Sequence, residues 1–209
     1  MKTIFRFILL ITVAAVFTHC GMSKPKKSIE NLKAAFNSES TASTKYSKFA
    51  QVAQTEGFDT IAKLFDAVSK SENIHAFNHG KALEKLGVSA GIAEIGNYEV
   101  KTTIENLQTA ISGETYEMNG MYSGFVRTAE EEKAPDAGKS FTWAIDAEKK
   151  HLVYFRQAAT AAALGNETGL TLDWLVCPTC GNTLRATDVK PLCDFCLTKK
   201  ENFIGYTQE

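Results

Sequence analysis

Ser71-Glu72-Asn73-Ile74-His75-Ala76 and Ala147-Glu148-Lys149-Lys150-His151 are the two stretches whose reading decides the fold. Each sets a Glu and a His three residues apart, on one face of a helix. Both sit inside apolar series that advance by alternating steps of three and four. One series is Ile61, Phe65, Val68, Glu72, His75, His79, Ala82, Leu86. The other is Phe141, Ile145, Glu148, Leu152, Phe155, Ala159, Ala162. Two more series have the same period: Ile29, Leu32, Phe36, Glu39, Ser43, Tyr46, Ala50, Ala53, and Ile104, Leu107, Ile111, Glu114, Met118, Met121, Phe125. Four helices, each turning one face to a core, are predicted. Ser28 and Asp136 are candidate N-caps.

Each stripe carries a Glu. A lone ionised carboxylate on a buried face costs several kcal/mol unless it is paired or bound to metal. One such Glu fits a rotated helix or a side chain that reaches solvent. Four in the same role ask for cations in the middle of a bundle. Glu39 and Glu72 lie equidistant from a turn near Gly57, and Glu114 and Glu148 from one near Pro135. Each pair is therefore level within about one helical turn, ~5.4 Å.

The halves repeat. Asn31-Leu32 and Glu39-Ser40 recur as Asn106-Leu107 and Glu114-Thr115, displaced by 75. Phe65, Glu72 and His75 recur as Phe141, Glu148 and His151, displaced by 76. Two such hairpins make an all-α four-helix bundle over residues 27–163, with residues 87–101 as the crossover. One Glu from each of two helices plus Glu-x-x-His from the other two is a carboxylate-bridged two-metal arrangement. Glu117 breaks the symmetry, because its counterpart is Ala42. It is either a seventh ligand or a solvated helix-face Glu. His79 is either a hydrogen-bonded core histidine or a spare ligand.

Residues 164–176 read as a linker. Residues 177–209 then carry Cys177-Pro178-Thr179-Cys180 and Cys193-Asp194-Phe195-Cys196. Paired C-x-x-C knuckles suit four thiolates around one tetrahedral ion, Fe or Zn, and two disulfides are the alternative. Cys20 is the fifth of 5 cysteines and stands apart. It ends a short apolar run, Ile8 to Phe17, behind Lys2 and Arg6. Residues 1–19 read as an export signal, with Cys20 as a lipidated first mature residue. A cleaved signal with an incidental Cys and a buried N-terminal helix are the alternatives. The formal charge of −1 argues against a dedicated nucleic-acid binder.

With these residues assembled, the chain resembles the rubrerythrins over about residues 27–205. The resemblance rests on Ser38-Glu39-Ser40 with Tyr46, the Glu72-x-x-His75 stretch, Gly113-Glu114-Thr115-Tyr116-Glu117 with Met121-Tyr122, the Glu148-x-x-His151 stretch, and the knuckles. It implies a ferritin-like bundle and a rubredoxin-like C-terminal domain. It implies two Fe ions held by Glu39, Glu72, His75, Glu114, Glu117, Glu148 and His151. Glu72 and Glu148 would bridge, and Glu117 and His75 would exchange on one iron with redox state. A further Fe would sit on Cys177, Cys180, Cys193 and Cys196. Tyr46 and Tyr122 would support the site or simply fill the core. Asp194, Leu197 and Asn182 depart from the knuckle pattern, where Pro, a small residue and an aromatic are common.

The function this implies is peroxide reduction to water, with electrons relayed through the Fe(Cys)4 centre in oxidative-stress protection. An unidentified reductase or carrier would supply the electrons. The family also implies a homodimer or larger assembly in which one chain's mononuclear iron faces another's diiron site. The alternatives are a ferritin-like ferroxidase and a non-enzymatic surface metal-binding protein. The expected location is a membrane-anchored lipoprotein on the cell's outer side, with the cytoplasm as alternative.

Overall fold

A computed structural model of the chain describes residues 24–167, 169–171 and 173–206. The expected signal and Cys20 lie outside the described residues. Helices α1 (Lys26–Thr55) and α2 (Asp59–Lys85) form the first hairpin. The second consists of α3 (Thr103–Tyr116), a π-helical segment (Glu117–Tyr122), α4 (Ser123–Glu131) and α5 (Pro135–Ala163). Three short strands follow: β1 (Trp174–Val176), β2 (Thr183–Arg185) and β3 (Ile204–Tyr206). They form an antiparallel sheet in the order β2-β1-β3. The last three residues of the expected linker are thus a strand. They are drawn into the sheet because β1 pairs on both edges, with Trp174 and Val176 buried.

Two apolar clusters fill the bundle. One contains Tyr46, Phe49, Phe65 and Phe155 and extends to Trp174 and Val176. The other contains Leu32, Leu83, Tyr122 and Phe141. Glu39, Glu72, Glu114 and Glu148 are all fully buried. Most stripe positions are buried as the period predicts. Ile104, however, is 43% exposed.

The π segment is where regular helical spacing fails. It accommodates one extra residue within the helix. The repeat offset is 75 at Glu39/Glu114 and 76 by Phe65/Phe141, and Tyr46 pairs with Tyr122 at 76. The extra residue therefore falls between Glu114 and Tyr122, within the stretch that holds the π turn. Its widened turn brings Glu117 inside and leaves Met118 only half-buried.

The expected N-caps are not caps. α1 begins at Lys26, which puts Ser28 inside the helix, and Asp136 follows Pro135 within the first turn of α5. Distant carboxylates do the capping instead. Glu132 accepts from the backbone N–H groups of Lys27 and Ser28, at 3.0 and 2.7 Å. Glu167 accepts from the Ile61 N–H at 2.9 Å, and Glu56 from the Thr103 N–H at 2.9 Å. Each meets a donor at a helix N-terminus, and at α3 it adds to a local capping box of Thr102 and Glu105. Glu132→Ala is expected to cost roughly 1 kcal/mol of stability, as a lost cap does. A denaturation midpoint checks it.

Candidate metal centres

Midway along the bundle the four carboxylates meet. Glu39, Glu72, His75 and Glu148 have donor atoms within 4.8 Å of one another, and so do Glu72, Glu114, Glu148 and His151. Glu72 and Glu148 belong to both groups, as bridging ligands between two ions would. His75 turns Nδ1 to Glu72 Oε2 at 2.9 Å and Glu148 Oε1 at 3.1 Å. His151 turns Nδ1 to Glu148 Oε2 at 2.8 Å and Glu72 Oε1 at 3.2 Å. The i, i+3 spacing puts each His beside its own Glu, and the two hairpins bring the pairs face to face.

Each histidine Nδ1 spends its hydrogen bond on its own helix's Glu, so Glu39 Oε2, Glu72 Oε1, Glu114 Oε2 and Glu148 Oε1 are left buried without one. Buried carboxylate oxygens without donors are expensive. Four orphans converging on one plane fit a cation pair. The other oxygens of the two non-bridging carboxylates are fixed. Tyr46 donates to Glu114 Oε1 at 2.5 Å, and Tyr122 donates to Glu39 Oε1. The tyrosines reach the acid plane from opposite apolar clusters.

Glu117 stands outside both groups. It accepts from Ser38 Oγ at 2.8 Å and lines a surface cleft of about 330 Å³ with Asn37, Thr41, Lys45 and Glu94. The structure therefore gathers six of the seven expected ligands. His79 is no ligand here: its ring nitrogens face Tyr122 Oη at 3.0 Å and Ser140 Oγ at 2.7 Å.

Cys177, Cys180, Cys193 and Cys196 form a third donor group. Cys177 and Cys196 sulfurs lie 3.4 Å apart, and Cys180 and Cys193 sulfurs 3.6 Å. These are free thiols rather than the alternative disulfides. The spacing is close to the ~3.8 Å edge of a tetrahedron with ~2.3 Å metal–sulfur bonds. Asn182 donates to Cys193 Sγ at 3.5 Å and accepts from Lys150 Nζ at 2.8 Å. It thus ties the sulfur cluster to α5.

The chain belongs to the rubrerythrin family. The family's model, described as Rubrerythrin, matches residues 30–159. Rubrerythrin-2 of Clostridium acetobutylicum is 30% identical over 175 residues, covering 84% of this chain and 94% of its own. Nigerythrin of Nitratidesulfovibrio vulgaris is 32% identical over 188 residues, covering 85% and 86%. A solved mixed-valence nigerythrin superposes with a TM-score of 0.76 at 27% identity, over 99% of this chain and 100% of that one. A Desulfovibrio desulfuricans bacterioferritin, at 19% identity and a TM-score of 0.64, shares the bundle fold. Rubrerythrins bind a diiron site. Here its donors are the carboxylate–histidine cluster, and the four cysteines form the rubredoxin-like iron site.

Within the single chain the Cys knuckle packs on the diiron site. Ser71 Oγ donates to the Gly181 carbonyl at 2.5 Å, and Asn78 Nδ2 to the Thr179 carbonyl at 2.9 Å. His151 Nε2 meets Thr183 Oγ1 at 3.1 Å. That contact leaves Nδ1 to face the carboxylates and fixes the ring. A Cβ on Gly181 would run into His75 Nε2, and the backbone there is left-handed at φ +80, so only glycine fits. Leu197 holds the equivalent place in the second knuckle at φ 63, but is 70% exposed. The left-handed backbone costs a non-glycine residue roughly 1–2 kcal/mol. Leu197→Gly is therefore expected to raise stability by about 1 kcal/mol. Gly181→Ala should lower it and shift the Cys-site spectrum. Thermal melts and visible spectra of the iron-loaded variants check both.

Without metal, burial and the Glu114 and Glu72 charges push the Glu117 carboxyl up to about 8. Burial first, then neighbouring carboxylates, raises Glu39 and Glu148 well above the usual range. Burial pulls His151 down, but Glu72 and Glu148 outweigh it and raise the imidazole well above its ordinary value. Groups raised on folding hold protons that the unfolded chain releases, so their contribution is lost as pH climbs through the folded value. Glu72, lowered to about 2, titrates elsewhere, and His79, lowered to about 3 by burial and His75, stays neutral above pH 6.5. The metal-free chain should therefore melt at higher temperature at pH 6.5 than at pH 8. Metal loading needs deprotonated ligands and should release protons into weakly buffered solution.

Proposed function

We propose that the chain is a peroxidase that reduces hydrogen peroxide to water, with electrons delivered through its own Cys-ligated iron. The observation that carries this reading is the docking of the Cys180-Gly181 knuckle directly on His75. A storage bundle has no need of an electron inlet at its ligand. When bound, the iron pair supplies the two electrons that peroxide consumes, one from each ion. The protein's part is to hold that pair and limit access to it. Glu72 and Glu148 bridge between the two donor groups, and Tyr46 and Tyr122 hold the outer carboxylates in place. Glu117, 6% exposed, borders both the buried plane and the surface cleft, which suits a peroxide entrance. The backbone from Cys180 to Gly181 and the Ser71 and Thr183 hydroxyls form the contact through which electrons pass.

The reading extends to compartment and partners. The basic start, the short apolar run and Cys20 support export and lipid attachment on the cell's outer side. Among the described residues no helix is long and apolar enough to cross a membrane. A separate reductase or carrier supplies electrons. Homo-oligomers are expected of the family, but this chain needs no partner to bring its two centres together. Labelled fatty acid should enter the wild type and not Cys20→Ser.

Glu72→Ala should abolish peroxide turnover by the reduced protein, and full activity in that variant would exclude the assignment. Cys193→Ser should keep one round of oxidation by peroxide and lose sustained turnover. Mixing these two variants tests the route. An intrachain path predicts no recovery of turnover, whereas recovery would place the path between subunits. Metal analysis should find about three irons per chain, and Zn on the thiolates would remove the electron route.

A further inference from the structure

Lys150 lies on α5 between Glu148 and His151, but its ammonium goes to the Cys module. Nζ donates to Asn182 Oδ1 at 2.8 Å and stands 4.5 Å from the centre of the Phe195 ring. Phe195 stands between Cys193 and Cys196 in the second knuckle. Asn182 is fully buried, and its Nδ2 donates to Cys193 Sγ at 3.5 Å. Its backbone is held independently, because its carbonyl accepts from the Cys177 N–H at 3.0 Å.

The chemistry of the ends fixes the direction of this line. A lysine ammonium donates and has no acceptor. It therefore holds the Asn182 amide with Oδ1 toward itself and the NH2 toward sulfur. An apolar residue in place of Asn182 would fill the volume but give Cys193 no side-chain donor. The charge of Lys150 acts on Asp194, Cys193, Cys180 and Asp146. Both acids already have a lysine of their own. Asp194 meets Lys190 at 3.0 Å, and Asp146 meets Lys149 at 2.7 Å. The sulfurs are left as the negative charge that Lys150 faces.

We propose that Lys150 and Asn182 raise the reduction potential of the four-cysteine iron site. Ferric iron on four thiolates carries one net negative charge, and ferrous iron on the same ligands carries two. One electron enters, no bond forms or breaks, and no proton moves. Hydrogen bonds to sulfur and a nearby cation both favour the more negative form. Burial of Cys177, Cys180 and Cys193 keeps water from screening that charge. Asn182 supplies the hydrogen bond. Lys150 supplies the cation and locks the amide that makes the bond. Neither is a ligand, so both are positioning residues. The inference deepens the peroxidase reading, because it sets how readily the electron route is filled, but a potential is measured without peroxide.

The test is the midpoint potential of the Cys site in full-length protein reconstituted with iron, followed by the visible absorption of ferric thiolate. Asn182→Leu and Lys150→Met should each lower the equilibrium constant for electron uptake about tenfold, ~59 mV for one electron. Lys150→Arg keeps the charge and the donors and should stay within about twofold of the wild type. An unchanged potential in Asn182→Leu or in Lys150→Met overturns the proposal. So does a fall in Lys150→Arg as large as that in Lys150→Met. If Asn182→Leu does not hold iron, the two Lys150 variants decide. A wild type whose Cys site takes up electrons while peroxide is left untouched defeats the peroxidase reading, and the potentials then decide this one by themselves.

Discussion

Everything in this bundle is arranged around the cost of four buried carboxylates. Glu39, Glu72, Glu114 and Glu148 are removed from water at one level. Their mutual repulsion would oppose folding if all were ionised without a counter-charge. In the metal-free chain protons held by Glu39, Glu148 and His151 relieve it, and a pair of iron ions relieves it in the loaded one. The aromatic clusters above and below exclude water and send one tyrosine each into the acid plane. The same tyrosines leave the outward carboxylate oxygens satisfied and the inward ones free for metal.

The second constraint is the closeness of the C-terminal knuckle to the bundle. Gly181 lies so near His75 that no side chain fits between them. Its carbonyl takes the Ser71 hydroxyl, while Thr183 orients His151. The module therefore takes part in building the diiron site, by positioning both of its histidines. It also explains the difference between the knuckles. The one facing the bundle must have glycine, whereas the one facing solvent carries Leu197 at a cost in backbone strain.

Much of this was legible in the chain itself. The four stripes, the two Glu-x-x-His pairs and the doubled C-x-x-C each follow from a local period or spacing. What was missed came from places where the period changes or the partner is remote. The π turn left only a trace, the shift of the repeat offset from 75 to 76 between Glu114 and Tyr122. Ser28 and Asp136 satisfied a local capping rule, but Glu132, about a hundred residues away, meets the α1 N-terminus instead. Asn182 looked like a departure from a pattern and proved to be a tether between Cys193 and Lys150.

By itself the sequence determined the fold class, the identity of the donors and the division into a bundle and a thiolate module. Those depend on side-chain chemistry repeated at fixed intervals, which a helix or a knuckle turns directly into geometry. Only the tertiary structure decided that His75 joins the cluster while Glu117 faces a cleft. It alone set the knuckle on its own chain's iron site and gave His79 a partner at each nitrogen. These are contacts between segments far apart in sequence, and packing sets their distances where no local period reaches.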